Sequence, residues 1–279
     1  MSQNTPDTEQ QPAEAPAQPV SRVPLIAGNW KMNLDHLQAI ALVQKLAWSL
    51  KDVKHDYSSV EVAVFPPFTD LRSVQTLLAA DKLSIGLGAQ DASPHAAGAY
   101  TGDISAQFLS KLDVKYVLVG HSERRHGHGE GDDIVKAKAS AIAGSGLVPM
   151  ICVGETAEDL ETQGAAAVPL AQLEAAISGL PDEAEFIVAY EPVWAIGSGE
   201  PATAAQAEDV CAALRRRLSE LRGDVAASTR ILYGGSVTSQ NVAGFLSQQN
   251  IDGALVGGAS LDSQEFSRIV QFEKHVTTA

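Results

Sequence analysis

Cysteine and aromatic residues are scarce in this chain. Two of its 279 residues are cysteines, Cys152 and Cys211, and 5% are aromatic. Two cysteines cannot form a disulfide framework, so the composition favours a reducing compartment, the cytoplasm. Long apolar runs are also absent, since no uncharged run approaches the roughly 18 residues that a membrane-spanning helix needs. The sequence therefore predicts a cytoplasmic protein with no membrane partner.

Basic residues are few as well. The chain has 20 Lys and Arg against 34 Asp and Glu, which gives a formal net charge of −14. Such an acidic protein repels phosphate backbones, so we expect no nucleic-acid partner. Hydrophobic residues make up 45% of the chain, enough for a large core. The length fits either two ordinary domains or one large barrel.

The first 22 residues differ from the rest. Residues 1–20 contain no Leu, Ile, Phe, Trp or Tyr and are rich in Pro and Gln. This composition cannot bury enough apolar surface to offset the entropy lost on ordering. It also lacks the basic start and apolar stretch of a secretory signal. We therefore expect a disordered extension over residues 1–22 and one folded catalytic domain over residues 23–279.

From Val23 onward, short aliphatic runs alternate with longer amphipathic segments. The runs predict eight strands, at 23–28, 60–65, 83–88, 115–119, 147–153, 186–190, 230–233 and 253–256. The strands are almost entirely apolar, as parallel strands buried on both faces should be. Eight strand–helix units are typical of a closed (β/α)8 barrel, which needs roughly 250 residues.

An open, doubly wound sheet is the main alternative fold. It should carry a glycine-rich dinucleotide turn after its first strand, and Gly28-Asn29-Trp30-Lys31 is no such turn. Helical spacing predicts helices within 34–51 and 203–222, with Leu37 and Leu221 on their apolar faces. Trp30 and Trp48 are expected to pack in the interior.

Unusual polar residues follow five of the predicted strands. The segments are Asn29-Trp30-Lys31, Gly120-His121-Ser122-Glu123-Arg124-Arg125, Tyr190-Glu191-Pro192-Val193-Trp194-Ala195-Ile196-Gly197-Ser198-Gly199, Tyr233-Gly234-Gly235-Ser236 and Val256-Gly257-Gly258-Ala259. The carboxyl ends of barrel strands meet at one rim, where catalytic groups come together. This rim would hold an amine, an imidazole, a carboxylate and two glycine-rich turns that could receive a phosphate on backbone N–H groups.

Each of these residues also has an ordinary interpretation. Glu191 alone could be a solvated charge, Lys31 a surface lysine, and His121 a structural histidine. A catalytic role for Glu191 is favoured by the residues that follow it. A stiff segment and then Gly197-Ser198-Gly199 have the composition of a lid with a hinge. A catalytic role for His121 is favoured because a helix starting at Ser122 would keep its ring neutral.

These strand-end segments resemble the signature segments of the triosephosphate isomerase family, and the resemblance runs from about Pro24 to Phe272. It implies a TIM barrel of eight parallel strands. It implies a glycolytic and gluconeogenic enzyme that interconverts D-glyceraldehyde 3-phosphate and dihydroxyacetone phosphate through an enediolate. No cofactor and no metal are implied.

The resemblance also implies roles for the catalytic residues. Glu191 would be the base that moves a proton between two carbons. His121 would be the neutral electrophile at the carbonyl, and Lys31 the positive charge at the developing oxyanion. Ser122 would hold the base in its lid-open position, and Glu123 would pair with Lys31.

Substrate binding and assembly are implied in the same way. Asn29 would orient a substrate oxygen, and the phosphate would meet Gly197, Ser236, Gly257 and Gly258. A homodimer would form through the loop from Gln90 to Asp103, with Thr101 reaching the partner's Asn29 and Lys31 region. Asp91 and Asp103 stand where the family commonly has Asn and Glu, so this chain departs from the usual pattern at both ends of that loop.

Three alternatives remain open from sequence. An aldolase on the same barrel could use Lys31 to form a Schiff base. A metal could bind among a cluster of ionisable residues, namely His126, His128, Glu130, Asp132 and Asp133, although glycines interrupt the spacing of a zinc site. A barrel that only binds sugar phosphates is the third. Cys152 and Cys211 are interpreted as packing residues rather than nucleophiles.

Overall fold

Eight parallel strands close into a barrel in the order in which they occur along the chain. The structure is a computed structural model that describes residues 22–195 and 201–275. The strands are β1 Leu25–Asn29, β2 Glu61–Phe65, β3 Gly86–Ala89, β4 Tyr116–Val119, β5 Val148–Val153, β6 Ile187–Tyr190, β7 Ile231–Tyr233 and β8 Gly253–Val256. The fold class is thus confirmed, and each predicted run contains its strand to within one residue.

Helices cover the outside of the barrel. In the described part of the chain they are α1 His36–Asp52, α2 Leu71–Asp81, α3 Ala106–Ser110, α4 Ser122–Gly127, α5 Asp132–Gly144, α6 Ala157–Gln163, α7 Ala167–Ile177, α8 Ala204–Arg222, α9 Val225–Ser228, α10 Val242–Leu246 and α11 Ser263–Val270. Short 3₁₀ helices occupy Val193–Ala195, Gly258–Leu261 and Phe272–His275. None of the helices within residues 22–195 and 201–275 is long and apolar enough to cross a membrane.

Alternation along each strand divides the core into two layers. Side chains such as Leu25, Ala63 and Met150 fill the barrel interior, whereas Ile26, Val62 and Ile151 pack outward against the helices. Interior space is tight, because a Cβ added to Gly88 would lie 2.3 Å from the Phe65 ring. Glycine at this position therefore lets the large ring of the neighbouring strand enter the barrel.

Helix α1 shows that apolar spacing alone does not identify which side chains are buried. Asp35 caps its start, and its side chain accepts hydrogen bonds from Leu37 N and Gln38 N. The buried residues of α1 are Ala39, Leu42, Val43, Leu46, Ala47 and Leu50. Leu37 and Trp48 lie off this stripe and are 65% and 62% exposed, and Leu221 is 41% exposed. The assignment of these three side chains to packed faces is wrong, whereas Trp30 is buried as predicted.

The amino ends of the strands carry an ionic cluster, here called the amino-end network, formed by Glu61, Lys115, Tyr116 and Arg230. Glu61 accepts hydrogen bonds from Lys115 Nζ at 2.7 Å, Tyr116 Oη at 2.6 Å and Arg230 Nη1 at 2.7 Å. Burial alone would raise the pKa of Glu61, but these donors outweigh it and lower the pKa to about 2. The network ties three strands of the barrel together.

A second ionic group lies at the same end. Asp252 accepts hydrogen bonds from Arg22 Nε at 2.6 Å, from Ile231 N at 2.8 Å and from Arg215. Arg22, the last residue of the predicted extension, thus contacts the barrel in the structure. Residues 1–21 of that extension lie outside the described residues.

Candidate active site

Five strand ends meet around one pocket of about 330 Å³ at the carboxyl end of the barrel. Its lining includes these predicted site residues: Asn29, Lys31, His121, Glu191, Ser236, Gly257 and Gly258. They come from the ends of β1, β4, β6, β7 and β8, which are distant in sequence. Gly197 and the rest of the predicted lid hinge, Ser198 and Gly199, lie outside the described residues.

Glu191 and His121 are in direct contact inside this pocket. Glu191 is 2% exposed, and its Oε1 lies 3.1 Å from His121 Nε2. Its other oxygen, Oε2, accepts a hydrogen bond from Ser122 N at 3.0 Å. The backbone of Ser122, rather than its hydroxyl, therefore holds the carboxylate.

The hydrogen bonds of His121 define its protonation. His121 Nδ1 accepts from Glu123 N at 3.2 Å, as the cap of α4. A nitrogen that accepts from an N–H carries no proton, so the ring is neutral and its proton is on Nε2. That Nε2–H points toward Glu191, and a neutral ring agrees with the position of His121 at the start of a helix.

Lys31 is held in an unusual backbone conformation. Its φ is 52°, a left-handed value that costs a non-glycine residue on the order of 1 kcal/mol. Asn29 Oδ1 accepts from Lys31 N at 3.0 Å, and Gln90 Nε2 donates to the carbonyl of Lys31 at 2.8 Å. Lys31 Nζ lies 2.7 Å from Glu123 Oε1, as the resemblance implied. These contacts fix the ammonium at the pocket.

Two glycine-rich turns form the other side of the pocket. A Cβ added to Gly235 would lie 2.2 Å from Tyr233 Oη, so this turn accommodates no larger residue without rearrangement. Ser236 and Gly258 are exposed at the mouth, and Gly257 is half-buried. The turns bring main chain close to the pocket without bulky side chains, which suits an anion such as a phosphate.

Sequence reasoning missed two supporting residues. Gln90 was interpreted only as the start of a loop, yet its side chain fixes the backbone of Lys31 and also donates to Phe65 O at 2.8 Å. Glu155 is buried and accepts from Tyr190 Oη at 2.9 Å and Trp194 Nε1 at 2.7 Å, which anchors the segment that follows Glu191. No local pattern reveals either contact, because the partners are distant in sequence.

A largely buried ion network lies near Lys31. It is formed by Asp91, Arg124, Glu130 and Lys138. Lys138 Nζ lies 2.8 Å from both carboxylate oxygens of Asp91 and 2.7 Å from Glu130 Oε1. Arg124 Nη2 contacts Asp91 Oδ2 at 3.0 Å and Glu130 Oε1 at 2.6 Å. Two acids and two bases thus balance in a largely buried position, and Asp91 connects the network to Gln90.

Two of the three acids considered as metal ligands have protein partners. Glu130 belongs to the ion network just described, and Asp132 pairs with Arg125 at 2.6 Å. Among residues 22–195 and 201–275, no three His, Cys, Asp or Glu side chains cluster so as to hold a metal ion. Both cysteines are buried, and burial raises their pKa values well above the ordinary value of a thiol. The cysteines therefore stay protonated and packed.

The fold and pocket define a class, the (β/α)8-barrel proteins with a polar pocket at the carboxyl ends of the strands. Comparison with known proteins narrows this class. Residues 24–273 match the triosephosphate isomerase family, and the chain belongs to that family.

Similar proteins span nearly the same length. The chain is 66% identical over 256 residues to a triosephosphate isomerase of Leifsonia xyli subsp. xyli, covering 91% of this chain and 99% of the relative. It is 55% identical over 253 residues to one of Corynebacterium diphtheriae, covering 90% and 96%. A crystal structure of triosephosphate isomerase from Bartonella henselae superposes with a TM-score of 0.79 at 36% identity, covering 90% of this chain and 99% of that one.

Proposed function

We propose that Glu191, His121 and Lys31 are the catalytic residues of an intramolecular aldose–ketose isomerase. The reaction, the interconversion of D-glyceraldehyde 3-phosphate and dihydroxyacetone phosphate in glycolysis and gluconeogenesis, follows from family membership. The observation that carries the residue assignment is the 3.1 Å separation of His121 Nε2 and Glu191 Oε1 in a pocket also lined by Lys31.

Glu191 is the base in this scheme. Its carboxylate removes a proton from one carbon of the triose and returns it to the neighbouring carbon. Both carboxylate oxygens of Glu191 already have a partner, Ser122 N for Oε2 and His121 Nε2 for Oε1. The base must therefore leave at least one of these donors to act, so Ser122 holds a resting position.

His121 and Lys31 stabilise the oxygen on which negative charge develops. The Nε2–H of neutral His121 donates to the substrate carbonyl, while the Lys31 ammonium provides a fixed positive charge nearby. Asn29 Oδ1 is occupied by Lys31 N, so the amide nitrogen of Asn29 is the group that donates to a substrate oxygen. Glu123 keeps the ammonium at the pocket before substrate arrives.

The substrate phosphate binds at the glycine-rich side of the pocket. Ser236, Gly257 and Gly258 receive it together with Gly197, which lies outside the described residues. Main-chain N–H groups suit this task because they need no additional cation to hold a dianion. No cofactor takes part, since proton transfer between adjacent carbons involves no change in overall oxidation state.

Turnover and trapping test this assignment together. A coupled assay should show conversion of D-glyceraldehyde 3-phosphate to dihydroxyacetone phosphate. Borohydride added with dihydroxyacetone phosphate should leave the activity intact, because no Schiff base forms. Irreversible inactivation with label on Lys31 would contradict the scheme and favour the aldolase alternative.

The proposal includes a cytoplasmic homodimer formed through the loop from Gln90 to Asp103. Exposed apolar side chains near that loop support it: Met32 is 95% exposed, Phe68 36% and Tyr100 45%. Tyr100 stacks on His95 with ring centroids 3.7 Å apart, which gives the loop a rigid tip. The tip of one subunit would bury the Met32 and Phe68 surface of the other.

Sedimentation tests the dimer. Tyr100→Asp should shift the protein toward monomer, and Phe108→Asp serves as the control because Phe108 is 59% exposed on α3, outside the loop. Equal dimer content in both variants would contradict this interface. We also infer that the extension before Arg22 is dispensable, so a chain starting at Arg22 should retain kcat/KM.

A further inference from the structure

A second cavity, of about 500 Å³, lies where helices α1 and α2 end. Its lining includes Trp48, Lys51, Lys54, His55, Tyr57 and Lys82. Helices of a (β/α)8 barrel run opposite to its strands, so this cavity is at the amino ends of the strands, away from the active site. Its volume is within the range of small-molecule pockets.

Trp48 gives the cavity an aromatic surface. Its side chain is 62% exposed and lies off the buried stripe of α1, so core packing does not account for it. Beside it, His55 and Tyr57 form an edge-to-face pair with ring centroids 4.6 Å apart. His55 Nε2 lies 2.9 Å from Val60 O, which fixes the ring and its proton. The exposed Trp48 ring offers a planar ligand a face for stacking, and the half-buried His55 and Tyr57 line the cavity beside it.

Three lysines surround the same cavity. Lys51, Lys54 and Lys82 pair with no carboxylate of residues 22–195 or 201–275, whereas Lys31 and Lys115 each have one and Lys138 has two. Asp81 is the acidic residue of the lining. The lining of this cavity thus carries three ammonium groups against one carboxylate, on a protein with a net charge of −14.

Two of these lysines occupy positions that favour glycine. Lys54 has a φ of 53° and Lys82 a φ of 51°, just beyond the ends of α1 and α2. A positive side chain near a helix C-terminus has favourable electrostatics. That effect accounts for each lysine singly, but not for three of them around one cavity with an exposed tryptophan.

We propose that this cavity binds a nucleoside polyphosphate, with its base stacked on Trp48 and its phosphates at Lys51, Lys54 and Lys82. The ligand must carry both a flat aromatic ring and several negative charges, because the cavity offers a complement to each. A cavity of about 500 Å³ is of a size that takes a single nucleotide. A nucleic acid strand would extend over the acidic surface and be repelled.

Calorimetric titration with ATP tests the site. Dihydroxyacetone phosphate is kept saturating, so that the active site is occupied and the signal reports the second cavity. We expect ATP to bind the wild type with a dissociation constant that rises steeply with salt. Trp48→Ala should weaken binding about tenfold or more, the loss typical of one base–aromatic stack.

Glycine variants separate charge from folding. Lys54→Gly and Lys82→Gly remove the ammonium while suiting the left-handed backbone, so the fold should be retained. Both should weaken ATP binding and flatten its salt dependence. Lys45→Ala, an exposed lysine of α1 outside the cavity, should bind ATP like the wild type.

Four results would overturn the proposal. The first is the absence of ATP binding by the wild type at 10 mM, on the order of the weakest specific affinities. The second is unchanged binding in the Trp48 and lysine variants. The third is binding of inorganic tripolyphosphate as tight as that of ATP, which would show that the base contributes nothing. The fourth is tighter binding of a single-stranded oligonucleotide than of ATP.

Discussion

The two ends of the barrel use charged residues in opposite ways. At the amino end, Glu61 has three donors on its two oxygens, and Asp252 lies between Arg22 and Arg215. At the carboxyl end, Glu191, His121 and Lys31 line an open pocket. The charges at the amino end connect strands to one another, whereas those at the carboxyl end have local partners and line a pocket that a ligand can enter. Stability and reactivity are therefore assigned to separate ends of one fold.

Paired charges are not confined to the amino end of the barrel. The ion network of Asp91, Arg124, Glu130 and Lys138 is an exception. It lies toward the carboxyl end but is paired and largely buried, like the clusters at the amino end. Its connection to the pocket runs through Gln90, which fixes the backbone of Lys31. The paired charges of this network thus help to position Lys31 at the pocket.

The largest expected effect is on catalysis at the carboxyl end. Glu191→Gln removes the carboxylate of the proposed base while keeping the size of the side chain. We expect kcat/KM to fall by about 10⁴-fold, at the upper end for loss of a general base, with little change in thermal stability. Glu61→Gln is the matched control at the amino end and should retain turnover. Similar kcat/KM values for the two variants would contradict the assignment of reactivity to the carboxyl end and stability to the amino end.

Lys31→Met should give the next largest loss. In the proposed scheme the ammonium stabilises the developing oxyanion, and removing one such group typically costs about 10²- to 10³-fold in kcat. Glu123 would lose its partner, but its side chain is 58% exposed and can be solvated, so stability should change little. Steady-state kinetics and urea unfolding measure both quantities. A loss confined to stability would show that Lys31 is structural.

Asp91→Ala should act mainly on stability. It leaves Lys138 with one carboxylate partner instead of two in a buried position, and breaking a buried pair costs about 3 kcal/mol of unfolding free energy. Asp91→Asn keeps hydrogen-bonding capacity and should lose less. Urea unfolding at pH 7 checks this order. If the alanine variant is as stable as the wild type, the network does not contribute to stability.

Glu61→Gln should give a smaller and pH-dependent loss. The folded-state pKa of about 2 lies below the ordinary value of 4.5, so ionised Glu61 stabilises the fold above pH 4.5. That contribution disappears as the pH falls from 4.5 toward 2. At pH 7 we expect a loss of about 2 kcal/mol, reduced from the full pKa shift because the side chain is partly exposed. The gap between variant and wild type should narrow at pH 3, and a gap that widens there would contradict the pairing.

The barrel was predictable from sequence because its strands are buried on both faces. Such strands read as uninterrupted apolar runs, and the residues after each run meet at one rim. Glu191, His121 and Lys31 could therefore be gathered without knowing any distance between them. The resemblance of the strand-end segments to the triosephosphate isomerase family then indicated which reaction to expect.

What sequence missed depends on contacts between distant segments. Glu61 and Arg230 are 169 positions apart, and no local pattern links them. Asp91 was noted only as a departure from the family, although it completes a network with residues of α4 and α5. Leu37 and Trp48 were misassigned because an apolar residue near a helical stripe is hard to distinguish from one on it.

The exchange of one hydrogen tests the catalytic assignment most directly. Dihydroxyacetone phosphate is incubated in D₂O with the wild type and followed by proton NMR at C1. A base that removes a proton from one face should replace one of the two C1 hydrogens with deuterium, and Glu191→Gln should leave both signals in place. Persistence of both C1 signals in the wild type while isomerisation proceeds would show that the transferred hydrogen never exchanges with solvent, and it would contradict a carboxylate base that exchanges its proton with water.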